Sequence, residues 1–321
     1  MKKIQVVIEE RSDEAQDVVR LALRRPDGES LPAFTAGAHI DLFLPNGLTR
    51  QYSLIGDVGE TYCYEVAVSK VANGRGGSSC VHSTLNVGNT LDISEPRNNF
   101  PLQPGHNRFL FIAGGIGITP ILSMIRYCER QGWAWQLLYL ARSRAHAAFY
   151  QQLAAFGADR VRVHFDDEAG HFFDFSNGSL VVEPNVPIYC CGPAPVMKAV
   201  GEFSSSHPDN PAYFEWFSPP AGTETEVGTD QAAAAFDIKL QRSGKVLHVP
   251  EGKTILEVLE ADGYELPCSC REGMCRTCET GVIEGTPEHR DYVLSKAERE
   301  AGRTMMICVS RARSPTLVLD I

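Results

Sequence analysis

The first hundred residues show apolar positions in short runs rather than in helical stripes. Val6–Ile8, Val18–Leu23, His39–Leu44, Gln51–Leu54 and Tyr62–Val68 are apolar or alternating segments of strand length. Pro45-Asn46-Gly47 separates two of them as a hairpin-type turn. The spacing predicts a closed antiparallel β-barrel, with one short helix near Ser78–Leu85. From about Asn107 the rhythm changes. Phe109–Ala113 reads as a continuous apolar strand, and Gln136–Ala141, Val161–Phe165, Ile188–Cys191 and Tyr213–Phe217 as further strands. Helical segments fall between them: one ending near Arg130, then Ala147–Phe156 and Ala194–Phe203. That alternation predicts a doubly wound parallel α/β domain. Residues 218–235 carry Pro, Gly, Thr and acids without apolar periodicity and read as a linker. Beyond it the segments shorten again. Strands are expected at Asp237–Gln241, Val246–Val249, Glu279–Glu284, Thr304–Val309 and Thr316–Asp320. Helix Ile255–Ala261 is expected behind a Thr254/Glu257 capping box. The expected division is 1–105, 106–227, a linker end at 228–235, and 236–321.

Chemistry enters most sharply in the last segment. Cys270, Cys275 and Cys278 give C-x4-C-x2-C, and Cys308 follows at a distance. This is the plant-type spacing for a 2Fe-2S cluster. Four thiolates must reach two irons, and Gly273 lets backbone amides close on the sulfurs. The competing use of such cysteines is structural zinc, which usually takes two close pairs; here the distant half is a single cysteine. Cys268 would break the four-residue gap and reads as a spare thiol. Cys63, Cys80, Cys128, Cys190 and Cys191 read as reduced core thiols.

Three further stretches suit phosphate. Gly115-Ile116-Gly117-Ile118-Thr119-Pro120 follows a strand and opens a helix, where backbone amides and the helix dipole favour an anion. Thr119 is the expected N-cap and Pro120 the expected first helical residue. The third glycine of the dinucleotide fingerprint is missing, and a plain tight turn is the alternative reading. Arg50 and Tyr52 share one face of a strand, as surface pairs on edge strands also do. Asn73-Gly74-Arg75-Gly76-Gly77-Ser78 is a glycine-rich loop with a guanidinium, leading into a helix: an anion cradle.

Composition narrows the field further. The 321-residue chain has 30 Lys and Arg against 40 Asp and Glu, a net charge of −10. A nucleic-acid partner would need a basic stripe. No run of 18 apolar residues is present, and the N-terminus lacks an apolar signal core, so no membrane association and a cytoplasmic location are expected. His289-Arg290-Asp291 has the form of a kinase catalytic triplet, but no glycine loop, lysine strand or magnesium motif accompanies it. It is expected on the surface.

In chain order, Arg50-Gln51-Tyr52-Ser53, the Gly115–Pro120 turn, Cys191-Gly192-Pro193, Phe214-Glu215-x-Phe217 and the cysteine loop resemble the phthalate dioxygenase reductase family of the ferredoxin–NADP reductase superfamily. The resemblance implies a flavin-binding barrel, a nicotinamide-nucleotide domain and a C-terminal β-grasp-like ferredoxin domain. It implies FMN on Arg50, Gln51, Tyr52 and Ser53, lined by Ala67 and Val68. The FMN phosphate would lie on Arg75, Gly76, Gly77 and Ser78, with Thr119 and Phe217 as further flavin contacts. Gly115, Gly117, Cys191, Gly192 and Pro193 would face NADH or NADPH. Family members pass electrons to a Rieske-type oxygenase acting on aromatic acids or similar small molecules. No acid–base catalyst is expected. Arg142-Ser143-Arg144 departs from the carboxylate often offered to an NAD ribose: arginines suit a 2′-phosphate, or are solvated loop residues. Two other uses remain open, a stand-alone oxidoreductase serving another carrier and a non-enzymatic redox sensor.

Overall fold

A computed structural model describes residues 2–72, 74–176, 178–218 and 234–321, without the Lys296 side chain. Most of the expected linker, 219–233, lies outside the described residues, as do Asn73 and Asn177. The chain forms two compact units, residues 1–215 and 216–321.

In the first unit, strands β1 (Lys3–Ala15), β2 (Val18–Arg24), β3 (His39–Phe43), β4 (Thr49–Ser53), β5 (Tyr64–Ser69) and β6 (Thr90–Ser94) form one antiparallel sheet. Its order is β4-β3-β6-β1-β2-β5, and the bridge Leu54–Val66 links its ends into a barrel. Alternation fills the interior: Val6, Ile8, Leu21, Leu23, Ile40, Leu42, Val66 and Ile93 are buried in one core. At the β3–β4 turn Gly47 takes φ +79°, and Asn46 accepts a hydrogen bond from the Leu48 amide. Helix α1 (Gly77–Thr84) lies near its expected place. Strand β6 was not anticipated.

The parallel sheet follows: β7 (Arg108–Gly114), β8 (Ala134–Ala141), β9 (Val161–Phe165), β10 (Ile188–Cys191) and β11 (Ala212–Glu215), in the order β11-β10-β7-β8-β9. Helices α2 (Ile118–Gln131), α3 (Tyr150–Ala154), α4 (Asp166–Ala169) and α5 (Ala194–Ser206) connect the strands. The chain leaves β7 toward β8 and returns to β10 on its other side, so the topology reverses between β7 and β10. Barrel residues Val18, Ala36, Ile55 and Ala67 share the core built by α2 and this sheet. Polar ties reinforce the shared core. The Gly37 amide donates to Ser123 Oγ at 3.0 Å, and Arg126 donates to the Ile55 carbonyl at 2.7 Å. The barrel and the α/β layer therefore form one unit.

In the second unit, β12 (Phe236–Leu240), β13 (Val246–Val249), β14 (Glu279–Glu284), β16 (Thr304–Met306) and β18 (Thr316–Leu319) form a mixed sheet ordered β13-β12-β18-β14-β16. Strands β15 (Pro287–Glu288) and β17 (Arg311–Ala312) pair separately. Helix α6 (Ile255–Ala261) buries Ile255, Leu256 and Leu259, and its Thr254/Glu257 capping box forms as expected. A second box, Ser295 with Glu298, caps α7 (Lys296–Ala301).

Candidate functional site: a phosphate cradle, a nucleotide crevice and a cysteine loop

Alternation along β4 sends Arg50 and Tyr52 one way and Gln51 the other. Arg50 donates to the Arg75 carbonyl at 3.1 Å, and its stem lies across Gly77, where a Cβ would stand 2.6 Å from Arg50 Cγ. Only glycine admits this approach. Gly76, at φ +80°, precedes α1 without a side-chain cap, and no acid occupies the first turn. The helix start thus presents open amides beside a guanidinium, which is what a phosphate requires. Ser78 Oγ accepts from the Val71 amide at 3.1 Å and fixes the loop. Tyr52 packs against the barrel core, and burial pushes its phenol up to about 12, so it remains a neutral flat ring. The donor set fits a flavin phosphate.

Three expectations change in detail. Gln51 donates its side-chain amide to the buried Asp41 carboxylate at 2.7 Å, on the face of the sheet opposite Ile40 and Leu42. Ala67 and Val68 are both buried, one in each core cluster of the unit, and the Val68 carbonyl lies 2.9 Å from His82 Nε2. Thr119 is not the N-cap of α2. A 3-10 turn at Gly115–Gly117 runs directly into the helix, Ile118 becomes its first residue, and Thr119 Oγ1 donates back to the Ile116 carbonyl at 3.0 Å. Pro120 is the third helical residue, still within the turn that needs no amide donor.

The reversal between β7 and β10 is tightly closed at the backbone. A Cβ on Gly117 would stand 2.2 Å from the Cys191 carbonyl oxygen, and one on Gly114 2.5 Å from Pro193 Cδ. A Cβ on Gly192 would stand 3.0 Å from Gly114 Cα. Gly115, at φ +53°, faces open space instead. The glycines thus divide the work: Gly114, Gly117 and Gly192 let the strand ends approach, while Gly115 leaves room above them. At the same edge Glu215 ends β11, in register with Cys191 on β10. Burial pushes the Glu215 carboxyl up to about 8, and Ser53 Oγ donates to it at 3.5 Å. Burial also raises the Cys191 thiol, so at both groups the neutral form is favoured. Ser53, Cys191 and Glu215 therefore gather where the barrel meets the crevice. Phe217 is exposed and belongs to the second unit.

In the second unit Cys270, Cys275, Cys278 and Cys308 are all buried. The Glu272 and Met274 amides point at Cys270 Sγ from 3.3 and 3.4 Å, and the Cys270 amide at Cys275 Sγ from 3.4 Å. Hydrogen bonds from Cys275 and Cys308, then from these amides, pull the Cys270 thiol well below the ordinary range. Hydrogen bonds among the cysteines raise the Cys275, Cys278 and Cys308 thiols, so among the four only Cys270 is lowered. Ile307, beside Cys308, accepts from the Leu256 amide of α6 at 3.1 Å, which anchors the distant ligand. Gly273, at φ +70°, has no room for a side chain: a Cβ would meet Val309 Cγ2 at 2.7 Å and Asp291 Cα at 2.9 Å. Arg271 and Arg276 also hold positive φ, each tied by a carboxylate, Glu260 and Glu279 respectively. Cys268 is half-buried and hydrogen-bonds with Cys278 and Cys308, nearer the ligands than its reading as a spare thiol suggested.

Residues 238–313 match the family of 2Fe-2S iron-sulfur cluster binding domains. Over 312 residues the chain is 41% identical to toluene-4-sulfonate monooxygenase system reductase subunit TsaB1 of Comamonas testosteroni, covering 96% of this chain and 95% of the relative. The solved structure of phthalate dioxygenase reductase, described as modular for electron transfer from pyridine nucleotides to [2Fe-2S], is 36% identical with a TM-score of 0.71. It aligns over 99% of this chain and 98% of its own. The chain belongs to the phthalate dioxygenase reductase family. An intact type IV self-sufficient cytochrome P450 monooxygenase aligns with a TM-score of 0.90 and 36% identity, over 99% of this chain and 41% of that longer one.

Two residues of this reductase escaped the sequence reading. Glu215 was visible only as one letter of a motif; its burial against Ser53 depends on tertiary structure. Asp291 was expected on the surface with His289 and Arg290. It is buried, accepts from the Val293 and Leu294 amides and from Arg299, and stands against Gly273. Its carboxylate fixes the turn into α7, and the next residue, Tyr292, donates its amide to the Gly273 carbonyl of the cysteine loop at 3.0 Å. Among the described residues no helix is long and apolar enough to cross a membrane.

Proposed function

We propose that this chain is the reductase component of a two-component oxygenase system, drawing on NADH, or NADPH, and passing electrons through FMN and the 2Fe-2S cluster to an oxygenase partner. Bound flavin takes electrons from a pyridine nucleotide in pairs and gives them up singly, which suits a one-electron cluster. The chain's own residues bind and position. Arg50, Arg75 and the amides of Gly76–Ser78 would hold the flavin phosphate, and Tyr52 supplies a flat neutral ring. Gly115 and the Cys191–Pro193 turn would admit the dinucleotide, while uncharged Glu215 and Cys191 keep fixed negative charge away from the reacting rings. Phe217 would cover the flavin face until the nicotinamide replaces it. Cys270, Cys275, Cys278 and Cys308 would hold the irons.

Residues 1–105, 106–227 and 236–321 would serve as flavin, nucleotide and cluster domains. The partner of this reading is a Rieske-type oxygenase acting on an aromatic acid or a similar small molecule by oxidation or demethylation, in the cytoplasm. The observation that carries it is the coexistence, in one chain, of an anion-ready helix start, a glycine-closed nucleotide crevice and an amide-lined cysteine loop. A second reading, a cytochrome P450 partner, is favoured by the likeness to the self-sufficient P450. Purified protein should release FMN on denaturation, identified by chromatography, and contain two irons and two sulfides per chain, as the cluster formula demands. Material lacking both flavin and iron would end the proposal. Product formation that requires this chain together with a Rieske-type oxygenase, and not with a P450, would decide the partner.

A further inference from the structure

The parallel strands end their carboxyl edge at Ala141 on β8 and Phe165 on β9. Arg144 stands just past the first and α4 just past the second. A trough of about 530 Å³ runs along the edge strand β9, from Gly157 and Val161 near its amino end to Arg144, Tyr150 and Glu168 at the carboxyl edge. In an open α/β sheet this edge receives the adenosine half of a dinucleotide, and the group after the second strand meets the ribose 2′ position.

At that position the sequence offers arginines, which would suit NADPH. The structure withdraws one of them. Arg144 engages Glu168 through two parallel hydrogen bonds, Nε to Oε1 and Nη2 to Oε2, the latter at 3.1 Å. Its third nitrogen, Nη1, donates to Tyr150 Oη at 2.8 Å. The guanidinium also lies 4.7 Å from the Phe165 ring centre and 5.5 Å from that of Tyr150. Every guanidinium nitrogen is thus engaged. A phosphate drawing Arg144 away would sacrifice these contacts and meet the freed Glu168 charge, with Asp166 and Asp167 on the same short helix. Arg142 is the other cation on this loop.

We infer that Glu168 determines nucleotide choice: by holding Arg144 in a bidentate pair it denies the 2′-phosphate its cation and keeps the site selective for NADH. The inference rests on the reductase reading, and it identifies a specificity residue for that same site.

Glu168→Gln removes the charge and loosens the fork, while position 168 is exposed enough to tolerate the change. Two readouts apply to the flavin- and cluster-loaded protein. Calorimetric titration with 2′,5′-ADP and with 5′-AMP reads binding alone; steady-state ferricyanide reduction reads kcat/KM for NADPH and NADH. Wild type should favour 5′-AMP and NADH. In Glu168→Gln, affinity for 2′,5′-ADP relative to 5′-AMP, and the NADPH/NADH ratio of kcat/KM, should each rise about tenfold, the effect of one charge-assisted hydrogen bond gained. The double variant Arg144→Ala/Glu168→Gln should lose that gain, because the cation released is Arg144. A wild-type preference for NADPH, an unmoved ratio in Glu168→Gln, or an equal gain in the double variant, which would implicate Arg142, would each overturn the inference. Failure of either dinucleotide to support any turnover would instead remove the reductase reading, and the inference with it.

Discussion

Glu215 couples the stability of the first unit to pH. Its carboxyl is raised from an ordinary 4.5 to about 8, chiefly by burial. Below pH 4.5 both folded and unfolded chains hold the proton, and the residue contributes no pH dependence. Between 4.5 and about 8 only the unfolded chain is ionised, so stability falls as pH rises; above about 8 the loss is complete. At about 1.4 kcal/mol per pH unit, the gap from 4.5 to about 8 sets a ceiling of ~5 kcal/mol. Glu215 keeps some solvent contact, which reduces the working figure to about 2 kcal/mol. Glu215→Gln retains the acceptor facing Ser53 Oγ and removes the titration. Thermal unfolding should then show nearly equal Tm for the two proteins at pH 5. At pH 8.5 the variant should be higher by about 4–8 °C, given about 2–4 °C per kcal/mol for a unit of this size. A Tm difference that is the same at both pH values, or a variant less stable at pH 8.5, would refute the assignment of Glu215 as a buried neutral acid.

Cys275→Ser should abolish cytochrome c reduction while NADH-driven ferricyanide reduction by the flavin persists; equal loss of both in a folded variant would contradict separate electron stations. Gly117→Ala places a methyl group 2.2 Å from the Cys191 carbonyl oxygen, a backbone clash expected to cost about 3 kcal/mol, and differential scanning calorimetry should register a clear fall in Tm. An unchanged Tm would mean that the strand ends are not in contact. Arg50→Ala removes the guanidinium beside the α1 start and should weaken FMN about ten- to a hundredfold in equilibrium titration of the flavin-free protein, the loss of about 1.5–3 kcal/mol in charge-assisted hydrogen bonding. Unaltered flavin affinity would place the phosphate elsewhere.

The elements legible in the sequence were those that bury a face. Phe109–Ala113 and Ile188–Cys191 are continuous apolar runs, buried along their whole length in the middle of the parallel sheet, while Val161–Phe165 alternates because β9 is its edge strand. Strand β6 went unread because Thr90–Ser94 is short and only Leu91 and Ile93 alternate inward. The two capping boxes make the same point in reverse. Thr254/Glu257 was legible because an apolar stripe follows it. Ser295/Glu298 has the same chemistry, but Lys-Ala-Glu-Arg-Glu-Ala carries no stripe, so the signal stood alone.

For the site, legibility divided along a different line. The cysteine spacing marked Cys270, Cys275, Cys278 and Cys308 as the expected ligands, and the fold brings Cys268 against Cys278 and Cys308 as well. Amphipathic alternation likewise separated Arg50 and Tyr52 from Gln51. The state of a charge could not be read this way. Arg144 looks in sequence like a phosphate ligand, and only the fold brings Glu168, 24 residues on, against it. Glu215 looks like an ordinary carboxylate, and only the fold sets it against Ser53 and raises it. Asp291 looks like a solvated acid, yet it is buried and holds the turn into α7. In each case the residue type was plain and the partner was remote. Sequence motifs therefore supplied the candidate residues for electron entry and exit, whereas the charge proposed to select the electron donor depends on pairs the fold assembles. Changes confined to β8–α4 should alter nucleotide choice without disturbing the cysteine loop, since Arg144 and Glu168 lie in one compact unit and the iron ligands in the other.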